Sequence, residues 1–268
     1  IVRKMKLHAE HYPGEGERPL VILHGLLGAA RNWSKMARRL VPHVHVIVLD
    51  LRNHGQSPHA ETMGWAELAG DVAETLAAMG VSACDVLGHS LGGKVALRLA
   101  RDFPDLVRRL IVIDIAPREY PPHHQRDFEA MLALPLADLT SRKAADEHLA
   151  EAVPDWAHRQ FLLTNLQRSG GTQFAWGVPL KVLYRNLDAL RSDSLPANGA
   201  PAQPTLFVRG GRSRFITEDD QSAVLKRFPQ ARWLHFPESG HNPHFDCPDR
   251  FAEGVLGFLA ADQTEGHR

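Results

Sequence analysis

Two cysteines in 268 residues, Cys84 and Cys247, make neither a disulfide framework nor the paired spacing of a zinc site. Net charge is missing too. The 31 Lys and Arg balance the 31 Asp and Glu, so no basic field exists for nucleic acid or an anionic membrane. No apolar stretch approaches the roughly 18 residues of a membrane span. The start, Ile1-Val2-Arg3-Lys4, lacks the apolar core and cleavage site of a signal peptide, and Met5 is the candidate native start. Internal repeats and low-complexity segments are absent. Of the 16 histidines, the pairs His43/His45, His123/His124 and His241/His244 have no metal-site context, and His43, His45, His123 and His124 read as ordinary surface or loop residues. The expectation is a cytoplasmic protein without metal, cofactor, nucleic-acid partner or membrane span. Its 44% hydrophobic and 23% charged content is that of a globular enzyme.

What is present is organised around Asp85-Val86-Leu87-Gly88-His89-Ser90-Leu91-Gly92-Gly93-Lys94-Val95-Ala96-Leu97. An apolar run breaks into Gly-His-Ser-Leu-Gly and resumes as a helical pattern, the strand–turn–helix of a G-x-S-x-G nucleophile elbow. Gly88 and Gly92 remove the Cβ atoms that would clash where strand and helix crowd together. The Ser90 hydroxyl then stands above a helix N-terminus, where negative charge is favoured. A chance match is the bland alternative; the flanking patterns argue against it.

Short buried runs alternate with helical patterns through the first half of the chain. Residues 5–18 give a weak strand and turn. Pro19–Leu23, Val44–Leu49, the elbow strand and Leu110–Ile115 read as strands, and Asn32–Leu40, Trp65–Met79 and the segment from the elbow to Asp102 as helices. That alternation predicts a parallel sheet with right-handed crossovers. From Ala116 to Pro196 no buried strand is evident, and Asp127–Leu134, Arg142–Val153, Trp156–Arg168 and Val182–Leu190 read as helices. The expectation is an all-helical insertion at 117–196 within a core of 1–116 and 197–268. Strands Thr205–Arg209 and Arg232–Phe236, helices Glu218–Phe228 and Asp249–Ala261, and a frayed tail 262–268 complete the chain.

A serine is inert without a base and an oxyanion site. His241, in Ser239-Gly240-His241-Asn242-Pro243 after the last strand, is the candidate base, with His244 as the fallback. His89 points away as the x of the motif and reads as structural. The oxyanion donors are the backbone N–H groups of Leu91 and of Leu26, in His24-Gly25-Leu26-Leu27-Gly28. The acid is ambiguous. Ser213 stands in Gly210-Gly211-Arg212-Ser213, where an Asp is expected. Asp114 ends the apolar run Ile111-Val112-Ile113, and a carboxylate there is costly unless paired. Asp219 and Asp220 are the alternatives, although both read as first-turn charges of a helix.

Together these motifs resemble the α/β-hydrolase superfamily, and more narrowly its YbfF-type esterase subgroup. The specific parts are Asp50-Leu51-Arg52-Asn53-His54-Gly55-Gln56-Ser57-Pro58 and Asp114-Ile115-Ala116-Pro117. Leu91 departs from the pattern, since many relatives carry Met there; only its N–H is needed. The resemblance implies the α/β-hydrolase fold, an acid at Asp114 with Ser213 near the histidine, and carboxylesterase activity on short to medium acyl esters or thioesters. Lactone or carbon–carbon bond hydrolysis by the same residues, and a small-molecule sensor on the same fold, are the competing functions. Substrate-lining residues are not legible; Phe128, Met131, Trp156, Phe161, Phe174 and Trp176 are candidates that read better as core of the insertion.

Overall fold

The protein is described by a computed structural model over residues 5–16, 18–171, 173–196 and 199–261. The leading residues 1–4 and the tail 262–268, read above as a non-native start and a frayed end, lie outside the described residues. In chain order the first half holds strand β1 (Ala9–Tyr12), β2 (Leu20–Leu23), helix α1 (Ser34–Leu40), β3 (Val46–Leu49), α2 (Trp65–Ala78), β4 (Cys84–His89), α3 (Leu91–Asp102) and β5 (Val107–Ile113). An intervening segment follows with α4 (Gln125–Ala133), α5 (Arg142–Leu149), α6 (Trp156–Leu163), β6 (Leu166–Ser169), β7 (Gln173–Trp176), α7 (Leu180–Arg185) and α8 (Leu187–Arg191). The chain closes with β8 (Thr205–Gly210), α9 (Glu218–Arg227), β9 (Arg232–Phe236), α10 (Pro243–Asp246) and α11 (Pro248–Ala261).

The main sheet has the order β1-β3-β2-β4-β5-β8-β9. β1 pairs antiparallel with β3 and every other neighbouring pair is parallel. The inner strands β2 and β3 read as unbroken apolar runs because both faces are covered. Val21, Leu23, Ile47, Leu49, Val86, Val112 and Phe207 turn towards α2 and α3 in one buried cluster. Their neighbours Leu20, Ile22, Val46, Val48, Leu87, Ile111 and Val208 turn towards α1 and α11 in another. This is the mostly parallel, helix-flanked α/β architecture expected from the alternation.

The intervening segment is not all-helical. The pattern from Trp156 to Arg168 ends as helix at Leu163, and β6 and β7 pair as an antiparallel hairpin from Leu166↔Trp176 to Ser169↔Gln173. Gly170 and Gly171, with φ of 59° and 103°, carry the chain round between these strands. Two four-residue strands whose outer residues are exposed leave no buried apolar run to read. Val182–Leu190 likewise resolves into two short helices, α7 and α8. The segment has its own small core around Leu134, Leu149, Leu163 and Phe174. Phe128, Met131, Leu162 and Leu183 instead join the cluster on the α2–α3 face of the sheet.

Strand and helix backbones approach closely under the elbow. A Cβ built on Gly92 would sit 2.2 Å from the Leu23 carbonyl oxygen, and one on Gly88 would sit 2.2 Å from the Gly92 carbonyl oxygen. Both obstacles are backbone, so neither can rotate away. Gly92→Ala is therefore expected to lower unfolding stability by about 1–3 kcal/mol or more. Urea denaturation checks this, and an unchanged midpoint contradicts the close approach.

Candidate active site

Ser90 occupies the turn between β4 and α3 with φ 52° and ψ −116°, and its N–H donates to the Ile113 carbonyl at 3.0 Å. Among the described residues, four non-glycine positions have left-handed φ: Leu27, Asn53, Ser90 and Asp114. Such backbone costs on the order of 1–3 kcal/mol per residue and persists only where the surroundings over-determine it. Ser90, Asp114 and Leu27 all lie just past the C-terminal ends of β4, β5 and β2, where the sheet presents its working groups.

The Asp114 carboxylate is fully buried, yet every side of it is met by a donor. It accepts the Gly210 N–H at 3.0 Å, the Ser213 hydroxyl, and His241 Nδ1–H at 2.7 Å. The Ser213 hydroxyl oxygen accepts the Phe215 N–H in turn. Burial of this charge is thus offset by three hydrogen bonds. Both alternative acids lie in the first turn of α9. Asp220 caps α9 through Thr217 and pairs with Arg118, and neither it nor Asp219 contacts His241.

His241 is held from several sides. The Phe215 ring stacks on it at 4.0 Å, and His89 Nε2–H donates to its carbonyl at 2.8 Å. Asp246 fixes the loop in front by accepting from the Ser239 hydroxyl and the Gly240 N–H. His89 is thus structural, in the sense of positioning the histidine loop. His244, the fallback base, is stacked on Trp33 at 4.1 Å, and burial pushes its imidazole down to about 3. No carboxylate orients it.

Leu26, Ser90 and Leu91 line one cleft, together with Lys94, Ile115, Tyr120, Pro122, His123, His124, Gln125, Leu187, Leu190, Arg191 and Phe215. The Leu26 and Leu91 N–H groups donate to no protein acceptor among the described residues. A Cβ on Gly25 would sit 3.4 Å from that of Ser90, so the His-Gly loop passes directly beside the serine. None of the six aromatic and Met candidates lines the cleft. Phe128 and Met131 are fully buried core, Phe174 packs inside the intervening segment, and Trp156 is 65% exposed. His123 and His124 line the cleft, against the reading of them as ordinary surface residues. Among the described residues no cluster of His, Cys, Asp and Glu fits a metal ion.

Three supports were not legible in the sequence. Lys94 lies one turn beyond Ser90, and its ammonium donates to the carbonyls of Arg118 (2.9 Å), Arg191 (3.1 Å) and Ser192 (2.6 Å). These carbonyls sit at the two ends of the intervening segment, so one buried cation ties both to the elbow helix. Burial pushes this amine down to about 7, against the pull of Asp193 and Glu119. The second and third supports are His24 and His54. His24 Nδ1–H donates to the Gly25 carbonyl and its Nε2 accepts the Leu51 N–H. His54 Nδ1–H donates to the Arg52 carbonyl and its Nε2 accepts the Leu27 N–H at 3.1 Å. Their only sequence signal was position within the His-Gly and Arg-Asn-His-Gly motifs.

Both imidazoles must be neutral for these bonds. Burial pushes His24 down to about 4 and His54 to about 3. The unfolded chain takes up these protons below about pH 6.5, whereas the folded chain refuses them until pH 4 or lower. Stability is therefore fully present above pH 6.5 and is lost progressively as pH falls towards 4. The urea midpoint is expected to drop between pH 7 and pH 5, and to drop less in His54→Gln. A midpoint independent of pH over this window contradicts the neutral buried pair.

Comparison with known proteins places this geometry. The family described as alpha/beta hydrolase fold matches residues 18–248. The sn-1-specific diacylglycerol lipase ABHD11 of Mus musculus is 36% identical, over 97% of this chain and 87% of that protein. Esterase YbfF of Escherichia coli (strain K12) is 31% identical, over 90% of this chain and 92% of that protein. Among solved structures, a marine microorganism esterase superposes with a TM-score of 0.90 at 31% identity, covering 95% of this chain and 99% of that one. With its parallel sheet, strained Ser90 turn and flanking helices, the chain belongs to the α/β-hydrolase fold family, in the YbfF-type esterase subgroup, and is a carboxylic ester hydrolase.

Proposed function

We propose that the chain is a serine carboxylesterase that hydrolyses short- to medium-chain acyl esters, thioesters included, through an acyl-enzyme on Ser90. The carrying observation is that Ser90 and the unpaired N–H groups of Leu26 and Leu91 share one cleft with Phe215, whose ring stacks on the His241 imidazole that Asp114 holds. In this reading Ser90 Oγ attacks the acyl carbonyl while His241 Nε2 takes its proton. Asp114 holds Nδ1–H and stabilises the imidazolium. The carbonyl oxygen gains negative charge, which the Leu26 and Leu91 N–H groups meet without reorganising. His241 then gives its proton to the departing alkoxide or thiolate. Water, deprotonated by the same imidazole, attacks the acyl-enzyme and frees the acid and Ser90.

Residues 117–196 act as a cap over this site, supplying Tyr120, Leu187 and Leu190 to the cleft wall; Leu26, Leu91, Ile115 and Phe215 of the core complete its apolar lining. That lining suits an acyl chain of limited length. The printed names of the mouse and E. coli relatives, a lipase and an esterase, favour ester substrates over lactones or carbon–carbon bonds. Two unbridged cysteines are compatible with action in a reducing cytoplasm.

Hydrolysis of p-nitrophenyl esters across acyl lengths tests the proposal. Activity is expected to rise by about fourfold in kcat/KM per methylene, from about 0.8 kcal/mol each, until the cleft is filled. Ser90→Ala is expected to cost on the order of 10⁶ in kcat, and Asp114→Asn about 10⁴. Equal and feeble turnover by wild type and Ser90→Ala contradicts the esterase and favours a ligand sensor.

A further inference from the structure

The loop that carries the Leu26 N–H is pinned at several points. The Gly28 N–H donates to the Gly25 carbonyl at 3.0 Å, and the Ala30 N–H to Asp50 Oδ1 at 2.6 Å. Leu27 between them has a left-handed φ of 59° that a leucine does not hold by itself. Its own two polar groups are gripped from opposite directions. Its N–H donates to His54 Nε2 from the core side, and its carbonyl accepts Asn165 Nδ2–H at 2.8 Å. Asn165 belongs to the intervening segment, 138 residues away in the chain, at the junction of α6 and β6.

Asn165 is itself fixed. It is 1% exposed, its carbonyl accepts the Gly177 N–H at 2.8 Å beyond β7, and its N–H donates to the Leu162 carbonyl. The side chain is thus aimed by the hairpin and by the end of α6. An amide at this depth loses its hydration, so it is retained at a cost unless its donor is used. Alongside it, Arg31 Nη2 donates to the Thr164 carbonyl at 3.1 Å, a second tie between the same two pieces of chain.

We infer that Asn165 is a positioning residue for the oxyanion site: by holding the Leu27 carbonyl it keeps Leu27 left-handed and so keeps the Leu26 N–H aimed into the cleft. If the carbonyl is released, Leu27 relaxes towards negative φ and the preceding peptides swing with it. Seating of the intervening segment is thereby coupled to the strength of the oxyanion site, and not only to substrate enclosure. The inference rests on the esterase reading, because it takes the Leu26 N–H as an oxyanion donor.

The experiment compares wild type with Asn165→Leu and Asn165→Asp. The first keeps the buried volume and removes the donor. The second keeps the shape and turns an acceptor towards the Leu27 carbonyl. Each is assayed with p-nitrophenyl butyrate and with butylboronic acid, whose tetrahedral serine adduct places an oxygen between the two N–H groups. Loss of one oxyanion donor costs about 10²–10³ in kcat, so a misaimed one is expected to lower kcat by about tenfold or more. KM stays within about threefold, boronate affinity falls in parallel with kcat, and the aspartate is the worse of the two. If the aspartate does not fold, the leucine variant decides. Full kcat in folded variants of an active enzyme overturns the inference alone, as does a lowered melting temperature with kcat intact. A wild-type chain without turnover overturns the esterase reading and the inference with it.

Discussion

A buried carboxylate holds this site together. Asp114 ends β5 in left-handed backbone, with no exposure to solvent, and accepts from β8, from the loop after it and from the loop after β9. A charge in that position is tolerable only with all three donors in place. The two loops therefore have little freedom to move independently. Phe215 follows Ser213 on the first loop and lies flat on the imidazole of the second. The elbow adds the remaining constraint: Gly92 against the Leu23 carbonyl brings α3 so close to β2 that Ser90 and the His-Gly loop must be neighbours.

The working groups are spread over four separate stretches, and each was visible in the sequence to the degree that its role needs a particular side chain. Ser90 and its glycines form a local motif, since the turn cannot be made otherwise. His241 was legible from its place after the last strand. The acid was not fixed by spacing, because Asp114, Asp219 and Asp220 all fit the order; contact geometry separates them. Leu26 and Leu91 act through backbone, so only the motifs around them spoke. Lys94, His54 and Asn165 were silent as supports because their partners are carbonyls or N–H groups, most of them between 24 and 138 residues away. Backbone partners leave no signature in residue type.

The same reasoning explains where the fold departs from its reading. The inner strands of the main sheet are buried on both faces, so they announce themselves as apolar runs. The β6–β7 hairpin is short and half-exposed, and Leu166 and Phe174 are the buried members of its strands. Such a hairpin is marginal by itself and takes its stability from packing onto neighbouring helices. Those contacts are tertiary, and a helical period through Trp156–Arg168 was the stronger local pattern. The cleft lining shows a similar inversion. Phe174, with Trp176 against it, packs inside the intervening segment, and the leucines and histidines near its two ends line the cleft with the serine.

The central claim is that Ser90, made nucleophilic by His241 and Asp114, carries the acyl group. The most direct test is the intact mass of the protein after reaction with an alkyl phosphonate ester, with peptide mapping of the product. The account predicts one adduct, on Ser90, formed far more slowly in His241→Ala. No adduct, or one on another residue, contradicts it.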